Sequence, residues 1–273
     1  MSALSFVADV AADYSATVTH LASSEIELTV NIRRADGRVV SYDIVAYQQG
    51  DDVFAKEKSP SRLPGFCPER HINSDGSFCL YWREYDAMGI ADATAAHRWW
   101  QTLREFLLLQ ERVAKLRRWP GEGWAHGSAA QHQSHAEVAA SALGRAVSEA
   151  LQEGRLLVKA GPKVVHPNGP TLRVHIDGVH VYTVWRKSGR ITNKRQPCIC
   201  AWGKKGRRKK FRSCGDHASQ AAQLATSIAE WKEAEAAFWE VFKDTKCCGT
   251  CDDCPLRKSA GNAVSREHAE LLT

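Results

Sequence analysis

Residues 67–80 read Cys67-Pro68-Glu69-Arg70-His71-Ile72-Asn73-Ser74-Asp75-Gly76-Ser77-Phe78-Cys79-Leu80. A Pro-punctuated segment leads into this stretch and a helical pattern follows it, so Cys79 sits at a junction between elements. A thiol there is a candidate nucleophile. A free Cys has a pKa of about 8.5, which leaves only a few per cent thiolate at pH 7, and a nearby His or Arg raises that fraction. His71 and Arg70 are at hand. Asp75-Gly76 makes a tight turn that folds His71 and Asn73 back toward Cys79. Either side chain can then hydrogen-bond the oxyanion formed when an amine attacks a thioester. The same residues also suit a half-buried Cys in an ordinary loop, and Cys67 reads as structural.

Upstream, Leu4, Phe6, Val7, Val10 and Tyr14 have the spacing of a short amphipathic helix. Ile26, Leu28, Val30 and Ile32 alternate with polar residues, Ala35-Asp36-Gly37 turns, and Val40, Tyr42, Ile44 and Ala46 alternate again, which predicts an antiparallel hairpin. Residues 48–70 break the pattern, and Pro60, Pro64 and Pro68 predict a surface loop of the kind that carries sites. Downstream, Trp99, Trp100, Leu103, Phe106, Leu107, Val113 and Leu116 form a helical stripe that stops before Pro120. These aromatics, and Trp231 later, read as core.

With those residues in place, the stretch resembles the ubiquitin-conjugating (E2) enzymes, and in particular bacterial E2-like proteins with a C-terminal cysteine-rich domain. Ile72-Asn73-Ser74-Asp75-Gly76-Ser77-Phe78-Cys79-Leu80 is similar, without a gap, to the family's Ile-Asn-x-x-Gly-x-Ile-Cys-Leu run. In that register His71 stands where the family has its oxyanion-supporting Asn, with Arg70 in place of Pro and Glu69 in place of His. A two-residue gap would instead align His71-Ile72-Asn73 with His-Pro-Asn. The ungapped register is preferred, because bacterial E2-like proteins often lack the Asn and keep a His upstream of the Cys. The resemblance implies an α+β fold, a UBC-like antiparallel meander with flanking helices over residues 1–120. It implies that Cys79, aided by His71 or Asn73, accepts a ubiquitin-like protein as a thioester from an E1-like adenylating enzyme. Transfer to a target protein follows, within a bacterial conjugation system of the kind that defends against phage.

The Gly/Pro-rich Trp119-Pro-Gly-Glu-Gly-Trp-Ala-His-Gly127 marks the expected inter-domain break. Residues 121–155 read as a linker and bridging helix, with Ser134-His-Ala-Glu137 as a capping box and an end at Gly154. Residues 156–273 read as a smaller α+β cysteine-rich domain. Its Asp177-Gly178 turn between alternating apolar runs predicts a hairpin, and Leu224, Ile228, Trp231, Phe238 and Phe242 predict a helix over 217–243. His166-Pro167-Asn168 echoes the E2 tripeptide without a Cys at the right spacing and reads as a turn.

Seven of the nine cysteines lie in this half. Cys198-x-Cys200, Cys214-x-x-His217 and Cys247-Cys248-x-x-Cys251-x-x-Cys254 supply enough ligands for one tetrahedral zinc site or a pair, with the last run folding back onto the 198–214 segment. An unmetallated thiol cluster or a redox pair within 247–254 are the alternatives. Between the ligands lie Lys204, Lys205, Arg207, Arg208, Lys209, Lys210 and Arg212, which with Phe211 could grip nucleic acid or dock an acidic partner. Without these seven, the chain's 37 basic residues fall to 30 against 31 acidic ones, so the formal charge of +6 belongs to one loop. The composition, 44% hydrophobic and 25% charged, excludes disorder and collagen. No apolar run reaches membrane-spanning length and no basic leader precedes one, so a cytoplasmic protein is expected. The competing reading is a zinc-stabilised nucleic-acid-binding protein with a non-catalytic E2-like scaffold.

Overall fold

The structure, a computed structural model, describes residues 2–82, 88–120, 123–162, 166–204, 206 and 208–257. They form two compact units, the first made of Met1–Gly123 with Phe242–Thr273 and the second of Trp124–Val241.

In the first unit, α1 (Ala3–Asp9) leads through a 3-10 turn into a four-stranded antiparallel meander, β1 (Ala16–Leu21), β2 (Glu25–Arg33), β3 (Val39–Gln49) and β4 (Asp52–Glu57), followed after a long loop by α2 (Ala93–Leu116). The predicted hairpin is β2–β3, with Ile26 opposite Ala46, Leu28 opposite Ile44 and Val30 opposite Tyr42, all buried on one face. The helix expected over residues 4–14 is shorter: α1 stops at Asp9 and Ala11–Tyr14 is a 3-10 turn. Two strands were not legible in the sequence. β1 is mostly exposed and so carries no clean alternation. β4 lies inside the segment read as loop, reached through a turn at Gly50 with φ +63°. It is buried along most of its length and ends on Glu57, a buried carboxylate that accepts the backbone N–H groups of Ser61, Arg62 and Leu63. The proline-rich segment after it remains a loop.

α2 is capped by the Asp92 side chain, which accepts the Ala95 N–H at 2.8 Å. Its apolar stripe buries Trp99, Trp100, Leu103, Phe106 and Leu107 against the sheet. Buried indoles need partners for their N–H groups, and these donate to the carbonyls of Val53 and Val7, each at 2.8 Å. Both Trp residues are core, as read from the sequence.

The second unit contains α3 (Ala129–Leu143), α4 (Arg145–Gln152), a second antiparallel meander of β5 (Leu156–Ala160), β6 (Thr171–Ile176), β7 (Val179–Trp185) and β8 (Arg190–Ile191), and α5 (His217–Val241). Asp177 and Gly178 both have positive φ, +52° and +78°, the pairing a two-residue hairpin turn demands. The capping-box reading of Ser134 does not hold. α3 begins earlier, at Ala129, so Ser134 lies inside the helix, nearly buried, and Glu137 accepts from Gln133 instead. Nor does that helix run unbroken to Gly154, because Gly144 at φ +110° divides α3 from α4. α3 packs on α5 through small residues that allow close approach, among them Ala136, Ala139, Ala140, Ala221 and Ala225. Trp231 is only half-buried. His166-Pro167-Asn168 is a turn, closed by the Asn168 N–H on His166 Nδ1. No helix among the described residues is long and apolar enough to cross a membrane.

Candidate active site and metal centre

The segment carrying Cys79 is hung on the edge of β4. The Phe78 N–H donates to the Ala55 carbonyl at 2.8 Å, and Ser77 bridges to Lys56. Phe78 turns inward, buried, and stacks on Phe106 of α2 with ring centroids 4.7 Å apart. The residues before it double back. Cys67 and Ile72 exchange backbone hydrogen bonds at 3.1 Å, and the Cys79 N–H donates to the His71 carbonyl at 2.8 Å. The turn at 73–77 is fixed by Gly76, with φ +81°, and by Asp75, which accepts the Ser77 N–H at 3.0 Å and its hydroxyl at 2.6 Å. Burial pushes the Asp75 carboxyl up, but the Ser77 bonds and the nearby Lys56 outweigh it and hold the group below the usual carboxylate range.

Cys79 ends this arrangement exposed. It lines a shallow cavity of about 100 Å³ with Val53, Phe54, Asn73, Phe78, Leu80 and Tyr81. Neighbouring atoms crowd the sulfur enough that desolvation pushes its thiol above the ordinary value. The two activating residues read from the sequence are otherwise engaged. Arg70 is buried, and its Nε donates to Gln110 Oε1 at 2.7 Å while Gln110 Nε2 donates back to the Arg70 carbonyl at 2.7 Å. The His71 ring packs on Trp119, centroids 4.5 Å apart, and abuts Gly123, where a Cβ would come within 2.8 Å of His71 Nε2. His71 serves Cys79 through its carbonyl, with its backbone left-handed at φ +54°. Of the two candidate oxyanion donors, Asn73 shares the Cys79 cavity, its Nδ2 donating to Ser77 Oγ at 3.0 Å. Gln110 was missed in the sequence, although a polar residue on the apolar stripe between Phe106 and Val113 was its signal.

In the second unit, Cys198, Cys200, Cys214 and His217 bring one donor atom each to a cluster in which all lie within 4.8 Å of one another, the one such group among the described residues. The Cys200 and Cys214 sulfurs are 3.7 Å apart, and His217 Nδ1 lies 3.4 Å from Cys198 Sγ and 3.3 Å from Cys214 Sγ. Tetrahedral bonds of about 2.3 Å to sulfur and about 2.0 Å to nitrogen give edges of roughly 3.8 and 3.5 Å. The donor set therefore fits a metal ion. Burial pushes the Cys198 thiol up to about 12 and raises that of Cys214, so these thiols need a cation if they are to ionise. The local fold explains the convergence. The Cys198 N–H donates to the Lys209 carbonyl at 2.7 Å, and His217 opens α5.

The set is complete without Cys247, Cys248, Cys251 and Cys254, which the sequence reading folded back onto it. Those four belong to the first unit. There Cys248 Sγ lies 3.1 Å from Cys67 Sγ. Cys67 is buried, as a structural residue should be, but its partners are thiols. Of the basic loop, Lys205 and Arg207 lie outside the described residues; Lys204, Lys209, Lys210 and Arg212 are exposed and Arg208 lies over the Trp202 ring. Phe211 is not displayed with them. It is fully buried in the second core, edge-on to Tyr182.

An exposed Cys on a turn beside an antiparallel meander, with the turn packed against the long helix that follows it, defines an E2-like domain, here joined to a unit holding a Cys/His cluster whose geometry is compatible with a metal ion. Comparison with known families agrees: residues 14–121 match the family model "Prokaryotic E2 domain" and residues 125–256 match "Cysteine-rich domain, C-terminal to E2 domain". The chain belongs to the prokaryotic E2 family in the form that carries this appended domain. No curated protein and no solved structure matches it.

Proposed function

We propose that this protein is an E2-like conjugating enzyme. Cys79 attacks the thioester carbonyl of a ubiquitin-like protein held by an E1-like partner, the partner's thiol leaves, and the acyl group now rides on Cys79. An amine on the target then attacks the same carbonyl, and Cys79 leaves as thiolate. The observation that carries this reading is the exposed Cys79 sharing its cavity with Asn73. Asn73 is assigned the oxyanion, since its amide is oriented by Ser77 and carries a second N–H. His71 and Arg70 are assigned to positioning. Desolvation holds the Cys79 thiol above its ordinary value. The family match supports a prokaryotic setting, and a role in defence against phage is proposed from the resemblance to bacterial E2-like proteins.

Cys198, Cys200, Cys214 and His217 are assigned a structural zinc, whose chemistry is to hold the second unit's ligand loops together. The nucleic-acid reading loses its stacking residue with Phe211 in the core. The test is incubation with an E1-like enzyme, ATP and the ubiquitin-like protein. Wild type should form an adduct that a reducing agent removes, and Asn73→Ala should form it but discharge it to amines more slowly. An adduct of undiminished yield in Cys79→Ala sinks the assignment.

A further inference from the structure

The two faces of the β5–β8 sheet differ. Val158, Val174, Ile176, Tyr182 and Val184 turn inward to pack with Leu224 and Ile228 of α5, and the Tyr182 hydroxyl donates to the Ala221 carbonyl at 2.8 Å. Alternation then decides what the other face carries. Lys159, Arg173, His180 and Arg190 are exposed, and His175 and Trp185 are half-buried.

These outward residues break a rule of sheet pairing. Lys159 of β5 stands directly opposite Arg173 of β6, and His175 stands opposite His180 of β7, their rings 5.4 Å apart. Like charges directly opposite destabilise a sheet, and none of the four strands contains an Asp or Glu to offset them. The carboxylates closest to hand are committed elsewhere, Asp177 to Arg155 and Glu233 to Arg186. Among the described residues, no ion pair engages Lys159, Arg173 or Arg190. Burial, backed by the charges of His180, Lys159 and Arg173, holds the His175 imidazole below its ordinary value, as an electropositive surface does.

Rings accompany the cations. Trp185 lies opposite Arg190, and the exposed His166 ring stacks on the indole with centroids 4.0 Å apart and planes 13° from parallel. Cations alone suit any anionic chain, an acidic peptide included. Cations with stacking rings on a four-stranded antiparallel sheet suit single-stranded nucleic acid, whose phosphates pair with Lys and Arg while its bases stack on the rings.

We propose that the solvent-facing side of the β5–β8 sheet binds single-stranded nucleic acid, with Lys159, Arg173 and Arg190 on phosphates and the His166–Trp185 stack receiving a base. The surface is separate in sequence from the 203–212 loop, whose Phe211 is buried. It stands whether or not Cys79 carries a thioester.

Fluorescence anisotropy of a dye-labelled oligothymidylate of about 12 nucleotides, titrated with the full chain, tests it. Three phosphate contacts predict that affinity falls about 100-fold between about 50 and about 500 mM salt. Lys159→Gln and Arg173→Gln should each weaken binding at low salt and lower the slope of log affinity against log salt by about 0.7. Each removes a like-charge opposition, so neither should melt below wild type, which separates lost binding from lost folding. Trp185→Ala should lose about tenfold in affinity with the slope unchanged, and Trp185→Phe should recover most of it. Absence of binding by wild type at low salt overturns the proposal. Binding unchanged in the Lys159→Gln, Arg173→Gln double variant also overturns it, and assigns the contact to the 203–212 loop. So does displacement of the oligonucleotide by poly-glutamate with Trp185→Ala indistinguishable from wild type, which makes the face a docking surface for an acidic protein.

Discussion

Replacing Gln110 by Leu removes the one side chain that holds Arg70 from both ends. Gln110 is 1% exposed and Arg70 3%, so neither water nor a neighbour replaces the two 2.7 Å bonds. Leaving a buried guanidinium N–H without its acceptor costs about 1.5–3 kcal/mol and the orphaned carbonyl about 1 kcal/mol more. The sum, about 3 kcal/mol, corresponds to roughly 10 °C in the melting of a unit of this size. Leu nearly conserves the volume, so cavity terms are small. Gln110→Glu keeps an acceptor for Nε but loses the donor to the Arg70 carbonyl, and its loss should be smaller. Because Arg70 immediately precedes the left-handed His71, whose carbonyl receives the Cys79 N–H, adduct formation on Cys79 should slow in both variants, more in Leu. Thermal melting followed by near-UV circular dichroism, with single-turnover charging on the same samples, measures both. A loss below about 0.5 kcal/mol in Gln110→Leu, with charging unchanged, would show that the Arg70 segment is held by something else.

Three further outcomes are expected. Alkylation of Cys79, isolated by subtracting Cys79→Ala, should still be accelerating at pH 9, because desolvation raises this thiol and its reactive anion appears only as pH climbs past the ordinary value; a plateau below pH 8 would mean an activating cation lies beside it. Stripping metal with a chelator, or His217→Ala, should expose the second core around Cys198, Ile199 and Phe211 and shift the transition of that unit while the first unit's β2–β3 amides keep their hydrogen-exchange protection at the Cys198-independent level. Phe211→Ala should cost the second unit about 3–5 kcal/mol, a core truncation, and leave any polyanion binding by the basic loop at native salt dependence so long as the unit is folded.

The parts legible in the sequence are those in which one local rule decides the structure. Alternation over 26–32 and 40–46 gave β2–β3, the Asp177-Gly178 dipeptide gave β6–β7, and the stripe from Trp99 to Val113 gave α2, because in each the burial pattern and the backbone preference agree. β4 escaped because burial along most of its length erases alternation, and Ser134 misled because a capping-box tetrad also fits inside a helix. The candidate site was legible to the same degree. Asp75-Gly76 placed Cys79 on its turn, and the short spacings Cys-x-Cys and Cys-x-x-His each keep two donor atoms close, so that the four form one cluster. Long-range pairings were not legible, since nothing local to Cys67 says that residue 248 will lie 3.1 Å away, and nothing local to Arg70 names Gln110.

In the proposed function, the acyl group of a ubiquitin-like protein rides on position 79. Cys79→Ser, charged with the E1-like partner and ATP, converts a labile thioester into an ester that survives reducing agent, and peptide mapping by mass spectrometry then locates the bond. The ubiquitin-like C-terminus is expected on residue 79, with the ester released by hydroxide and not by thiol. Attachment at any other residue, or no charging of wild type by an E1-like enzyme that does adenylate its ubiquitin-like protein, would contradict it.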